Sequence, residues 1–398
     1  MIELSIVDKA IESVNQSKLA YCKFLSANDS GETGGHQAGI LISTSARRML
    51  FDITKDLEHV EKREVKIKWQ DNYETNSRFT YYESKRELRI TSFGRGFPYL
   101  NKEDTGALFV LTQQDYDNYS GYFLYTEEEI NTFLDTFGLS PIETNKIIGK
   151  HEVKIVSHSM LEFEAIQKFI DSITIDRRSI EFPDSFTMSK TAREIENSVY
   201  NHIEYIRTNP DKKIIDWTEQ EYRLFRQIEQ FSYGSKIAQG FHDMDSFVEL
   251  ANQVLNRRKS RAGKSLEHHI SAIFDGNNIA YEEQVITEGK KKPDFIFPSG
   301  NAYHDKSFPT DKLVSLASKT TCKDRWRQVI NEADRLRDRN KYLLTLQQGI
   351  SSAQIEEMTA EKVILVVPKP YISSYPKEQQ EKIWTIKKFV SYLQELEA

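Results

Sequence analysis

Hydrophobic positions along the chain change their period twice. Val7, Ala10, Ile11 and Val14 recur at helical spacing behind Ser5-Ile-Val-Asp8, a hydroxyl and a carboxylate three apart that predict a capped first turn. From Val65 the period drops to two: Val65, Ile67 and Trp69 alternate with lysines, and short apolar runs follow at 79–82, 88–91, 108–111 and 122–125. Several short strands with turn signals between them predict a barrel-like β domain. From Ser159 the spacing becomes helical again. Hydroxyl-x-x-acid pairs starting at Ser159, Thr191, Thr218 and Ser246 predict four helix starts, and Ile195, Val199, Ile203 and Ile206 predict a buried stripe. Residues 176–190, with Arg177, Arg178 and Pro183, show little periodicity and predict a linker. The chain thus divides into residues 1–175 and 191–398. From about Gly263 the second part predicts helix, strand, strand, strand, helix, strand, with strands at 341–346 and 363–367 and a closing helix from about Glu378. The near-continuous apolar run at 363–367 suits a central strand.

At 398 residues the chain suits two domains, and 38% hydrophobic with 11% aromatic residues gives each half a core. No apolar run approaches a bilayer span and no charged-then-apolar leader opens the chain. Cys22 and Cys322 are too few for a disulfide framework or a paired-cysteine metal site, so a cytoplasmic protein is expected. His268 and His269 have no second His or Cys at zinc-ligand spacing.

The net charge of −6 argues mildly against a polyanionic partner, but local clusters set phosphate affinity. Arg257, Arg258, Lys259, Arg261 and Lys264 place five cations in eight residues, and Lys290, Lys291 and Lys292 adjoin an acid, Asp294. Both runs are expected to face phosphates; the alternative is a solvated helix face. In the amino-terminal half, Glu87, Arg89 and Arg95 fall at strand ends, where loops can enter a groove. The glycine-rich segment 26–39, with Asn28, Asp29 and His36, lacks the Gly-Lys-Ser/Thr of a phosphate loop, and reads as a long surface turn or a ligand-facing loop. Tyr303 and His304 admit a structural or a DNA-contacting role.

Candidate chemistry concentrates between Pro293 and Glu332. Two predicted strands each deliver one charged residue near an end, Asp294 and Lys319. A helix should follow, because Trp326, Val329, Ile330, Ala333 and Leu336 recur at helical spacing; Arg325, Gln328 and Glu332 would then share a neighbouring face. Two acids, a lysine and an arginine face suit phosphodiester hydrolysis. The reaction develops negative charge that a divalent cation neutralises. Magnesium takes oxygen ligands and keeps several waters, so Asp294 and Glu332 suffice as its protein ligands. Lys319 would stabilise developing charge and orient the attacking water.

The run Lys319-Thr-Thr-Cys-Lys-Asp-Arg-Trp-Arg-Gln328, with Asn331-Glu332-Ala333-Asp334, closely resembles the catalytic segment of the EcoRII-type restriction endonucleases. The likeness extends to 256–267, to Ile286-Thr-Glu-Gly-Lys-Lys-Lys-Pro-Asp294, to Leu25-Ser-Ala-Asn-Asp29, to Thr33-Gly-Gly-His36-Gln37, and to Gly94-Arg95-Gly96 followed by Asp104-Thr-Gly-Ala-Leu108. It covers both ends of the chain but not residues 115–190. The resemblance implies a PD-(D/E)XK nuclease core of order αβββαβ and an amino-terminal B3-like pseudobarrel that binds DNA as an effector. It also implies a Mg2+-dependent homodimer acting on double-stranded DNA, within a restriction-modification system whose methyltransferase protects host sites. Glu267, Asp294, Lys319 and Glu332 match the catalytic acids and lysine. Arg325, Trp326 and Arg327 match the segment that reads G:C pairs, with Lys323 and Gln328 beside it. Asn28, Asp29, His36 and Gln37 then become a DNA-facing loop. A CCWGG-like target (W is A or T) and 5′-phosphate products are expected. One departure stands out from the wider superfamily: two residues before the lysine, where an acid is usual, the chain has Ala317. A DNA-binding regulator without activity and a repair-type nuclease of the same fold are the competing readings.

Overall fold

The computed structural model describes residues 5–32, 39–52, 60–148, 160–176, 179–180, 182–323 and 326–397. His36, Gln37, Arg325, Ser159 and the linker arginines Arg177 and Arg178 lie outside the described residues.

Helix α1 (Ile6–Gln16) opens as its first residues demand: the Ser5 hydroxyl accepts from the Asp8 N–H, 3.2 Å. Eight strands follow: β1 (Leu19–Phe24), β2 (Ile40–Ile42), β3 (Val60–Trp69), β4 (Glu74–Tyr82), β5 (Glu87–Thr91), β6 (Leu108–Gln113), β7 (Asn118–Leu124) and β8 (Lys146–Ile148). They form one curled sheet in the order β2-β5-β4-β3-β7-β6-β1-β8, antiparallel throughout except between β3 and β7. The period-two pattern of β3 is the cause: Val65, Ile67 and Trp69 turn inward while Lys66 and Lys68 stay in solvent. Inside the half-barrel Trp69 meets Phe93 and Phe97 edge-on and stacks over Phe123. Its indole N–H donates to Thr75 Oγ1, 2.8 Å, so the buried polar atom is satisfied. A single turn, α2 (Arg47–Leu50), closes one end, and α1 with α3 (Glu127–Phe137) covers the outer face through Val7, Ala10, Val14, Ile130 and Phe133.

A helical layer connects the halves: α4 (Met160–Ser172), a small ribbon β9 (Thr174–Asp176) and β10 (Ser179–Ile180), then α5 (Ser185–Tyr200), α6 (Tyr205–Thr208), α7 (Pro210–Gln239) and α8 (Met244–Gly276). Three expectations change here. Thr191 and Thr218 do not start helices; both lie inside them, and Thr218 Oγ1 donates to the Ile214 carbonyl one turn back. The caps are Asp184, Asn209 and Asp243, whose side chains accept from Thr187 N, Lys212 N and Ser246 N. The apolar stripe breaks as well, since α5 ends at Tyr200 and Ile203 is 58% exposed. Helix α5 also begins within the stretch read as a linker.

The second sheet contains β11 (Glu282–Glu283), β12 (Phe295–Phe297), β13 (Val314–Lys319), β14 (Lys341–Thr345), β15 (Val363–Val367) and β16 (Trp384–Thr385), in that order. Pairing is antiparallel as far as β13 and parallel beyond it. Around it lie α9 (Gly300–His304), α10 (Trp326–Ile330), α11 (Ser352–Ala360) and α12 (Ile386–Glu397). The closing helix starts at Ile386 rather than near Glu378, because Asp211 of α7 caps it by accepting from Ile386 N and Lys387 N, 2.9 and 3.1 Å. The helix expected over 326–336 stops at Ile330. Trp326 and Val329 enter the main core, whereas Ala333 and Leu336 join a separate cluster with Val285, Ile296 and Leu313. Their helical spacing straddles two cores, and the chain bends at Glu332 between them.

The half-barrel docks against the second sheet close to the end of β13. Gln347 Nε2 donates to the Gly106 carbonyl, 3.0 Å, and Ser352 N donates to Glu32 Oε1, 2.6 Å. The Thr321 hydroxyl lies within hydrogen-bond distance of Glu127 and Asn131 on α3.

Candidate active site

Asp294 sits one residue before β12, and pairing of Phe295 with Leu316 sets it beside Ala317, diagonal to Lys319 on the same face of β13. The small Ala317 is buried there, opposite Asp294 across the strand pair. Asp294 Oδ2 accepts from Ser318 N at 2.7 Å and from Ser318 Oγ at 3.2 Å, and the Lys319 ammonium stands 3.4 Å away. Strand geometry thereby fixes one carboxylate against one ammonium.

Two further acids arrive from other elements. Glu267 projects from α8; Gln284, just after β11, places its Nε2 at 3.4 Å from Glu267 Oε2 and 3.0 Å from Asp294 Oδ1. Glu332 arrives on the bend after α10, not on a helix as expected, and the Thr287 hydroxyl fixes it by donating to the Glu332 carbonyl, 2.5 Å. Electrostatics show that the acids share a neighbourhood. Burial pushes the Glu332 carboxyl up to about 7; the Lys319 charge opposes the shift and the Asp294 charge adds to it. Burial also raises Glu267, with Asp294 again contributing and Lys264 and Lys319 opposing. Sequence reasoning missed Gln284, Ser318, Thr287 and the buried Lys341, whose ammonium donates to the Ile330 carbonyl. Gln284, Thr287 and Ser318 are neutral and far from Glu332 and Glu267 in sequence, so no local charge pattern marks them.

The residues fit a hard divalent cation. Asp294 raises both Glu267 and Glu332; Lys319 contacts Asp294, Lys264 contacts Glu267 and Lys341 acts on Glu332, yet burial outweighs these cations and both glutamates stay raised. Among the described residues no three ligating side chains already converge at ion-binding spacing.

The expected DNA-contacting residues divide. The basic run on α8 needs correction for its arginines. Arg258 grips Glu229 at 2.6 Å and donates to the Asp135 and Thr136 carbonyls at the end of α3; Arg261 is 6% exposed with its guanidinium 3.7 Å from the Tyr222 ring centre. Arg257 lies over Phe182. Arg258 thus ties the helices to α3, while Arg257 and Arg261 pack on rings within the helical layer, so carbonyls and rings meet the guanidiniums expected to face phosphates. Lys264 is exposed, 3.3 Å from Glu267. Lys323 is buried beside Tyr125 of the half-barrel, while Arg327 and Gln328 are exposed, Arg327 pairing with Glu357 at 2.5 Å. In the amino-terminal half Asn28 and Arg95 are exposed. Asp29 is not a contact but a knot: 2% exposed, it accepts from Lys23, Ser26 N and Leu41 N. Arg89 is likewise buried against Glu87, 3.2 Å.

A mixed sheet carrying an acid and a lysine on adjoining strands, with further acids from the flanking helix and bend, defines a restriction-endonuclease-like α/β core; the half-barrel is its B3-like companion. Residues 225–390 match the family model described as EcoRII C terminal, and residues 14–128 match Restriction endonuclease EcoRII, N-terminal. The chain is 33% identical over 397 residues to the Type II restriction enzyme EcoRII of Escherichia coli, covering 96% of both. It therefore belongs to the EcoRII family of type II restriction endonucleases, which are site-specific deoxyribonucleases. Among solved structures, Ecl18kI in complex with uncleaved, modified DNA is 20% identical with a TM-score of 0.45, covering 59% of this chain and 83% of that one. The PspGI–substrate DNA complex is 16% identical with a TM-score of 0.44, covering 54% and 93%. No described helix is long and apolar enough to cross a membrane.

Proposed function

We propose that this chain makes Mg2+-dependent double-strand cuts at a short specific DNA sequence, a CCWGG-like site, leaving 5′-phosphates. The observation that carries the reading is the meeting of Asp294 and Lys319 at 3.4 Å within the joint field of Glu267 and Glu332. Asp294 and Glu332 would hold the cation, which supplies Lewis-acid stabilisation of the phosphate when bound. Asp294 holds the Lys319 ammonium where negative charge develops and where the attacking water is oriented. Glu267 stands as a further acid at the cation.

Arg327 and Gln328 lie exposed beyond the site and suit base edges in the major groove, with Arg325 by position in the same role; a bidentate arginine–guanine pair contributes about 1–3 kcal/mol of discrimination. One set of catalytic residues per chain fits a homodimer that cuts each strand once. The half-barrel would bind a second copy of the site, and while docked beside Thr321 and Lys323 it would hold back cleavage. A cytoplasmic enzyme with a separate protecting methyltransferase completes the reading.

The test is digestion of plasmid DNA with and without Mg2+, followed by sequencing of the ends. Discrete fragments with 5′-phosphates at one repeated sequence are expected. A random ladder would make the chain a non-specific nuclease, and intact plasmid under all conditions would reject the reading.

A further inference from the structure

We infer that Gln284 is a positioning residue of the cleavage site, whose carboxamide ties Glu267 to Asp294 so that acids from two separate elements face one cation. The inference rests on the function proposed above. Gln284 Nε2 carries two protons and lies within reach of two acceptors, Asp294 Oδ1 at 3.0 Å and Glu267 Oε2 at 3.4 Å. The other Asp294 oxygen already takes Ser318 and Lys319, so Oδ1 depends on the amide for its orientation.

The backbone fixes the donor as well. Gln284 N donates to the Asp294 carbonyl, 3.1 Å, and the residue adopts a left-handed φ of 53°, which turns the chain sharply out of β11 just beside β12. The amide therefore starts from a point tied to the very residue that it orients.

The choice of side chain matters chemically. Glu267 and Asp294 repel each other, and the packing of α8 on β12 through Phe274, Phe295 and Phe297 sets the two backbones but not the two carboxylates. A lysine between them would offset the repulsion but would compete with a divalent cation. A neutral amide donates to both and leaves the negative charge available to the ion.

The test uses the full-length protein and Mn2+ alone, with binding followed by the magnetic resonance signal of free Mn2+. Gln284→Met keeps the length of the side chain and removes both donors. Gln284→Asn suits the left-handed backbone but draws the amide back from the acids, so it decides the matter should the methionine variant fail to fold. Each is expected to weaken Mn2+ binding about 10–100-fold, the usual cost of losing a group that orients a metal ligand. Mn2+ affinity within twofold of the parent in a folded variant, whatever its melting temperature, would overturn the inference. A parent chain that binds no Mn2+ would instead overturn the site reading on which it rests.

Discussion

Helix α8 carries two charged clusters two residues apart, and they are built on opposite terms. His269 faces inward, where its Nε2 meets Glu221 Oε2 at 3.0 Å; Arg193 reaches its Nδ1 at 3.3 Å, and the next helix pair adds Lys213 against Glu196 at 2.5 Å. Although burial pushes the Glu221 carboxyl up, His269 and Arg261 hold it below its ordinary value. In this hub each carboxylate has its own cation. Glu267, on the other side of the helix, joins Asp294 and Glu332, and although Lys264, Lys319 and Lys341 act on the cluster, burial keeps the carboxyls of Glu267 and Glu332 raised. Burial and charge are common to both clusters. What separates a structural cluster from a chemical one is whether the cations outweigh the cost of burying the carboxylates, a balance struck only in the hub.

The largest effect should come from the unbalanced side. Lys319→Ala is expected to slow single-turnover cleavage at least about 1,000-fold, in line with the loss of a group that stabilises developing charge, while specific DNA binding persists. Cleavage within tenfold of the parent would remove Lys319 from the chemistry. On the balanced side Glu221→Ala strands His269 and Arg261 without their carboxylate, and denaturant unfolding should show a loss of about 3–5 kcal/mol. A loss below about 1 kcal/mol would mean that the hub tolerates imbalance and would erase the distinction. The smallest effect has the opposite sign. Because the folded state holds the Glu332 proton more tightly than the unfolded chain does, ionisation above about pH 7 penalises the cation-free fold. Glu332→Gln should therefore stabilise the cation-free protein by about 1–3 kcal/mol above pH 7, with the gain shrinking as pH falls towards the ordinary glutamate range. A destabilised variant at pH 8 would show that the carboxylate is satisfied without a cation.

The same contrast explains which parts of the molecule were legible in the sequence. The alternation at Val65, Ile67 and Trp69 and the apolar run of β15 are local signals, and both strands form where they were expected. Asp294 and Lys319 were legible because a charge at the edge of an apolar strand is rare and the flanking motif is long. The arginines of 257–261 misled because a row of cations looks the same whether it meets phosphates or the carbonyls of α3. Thr191 and Thr218 misled because a hydroxyl three residues before an acid also occurs inside a helix, where for Thr218 the previous turn satisfies it. Glu332 reached the site by a bend, since Trp326 and Leu336 serve different cores at one helical spacing. Gln284 depends on a contact across β11, β12 and α8 that no single segment encodes.

The backbone contact between Gly106 and Gly349 sets how finely the two halves fit. Gly106 has a φ of +85°, and a Cβ built on it would run into the carbonyl oxygen of Gly349. At that point the half-barrel meets the second part of the chain with no room for a side chain between them. A methyl group at Gly106 would therefore strike the facing backbone as well as strain its own, so the junction is closed to any residue with a side chain at that point.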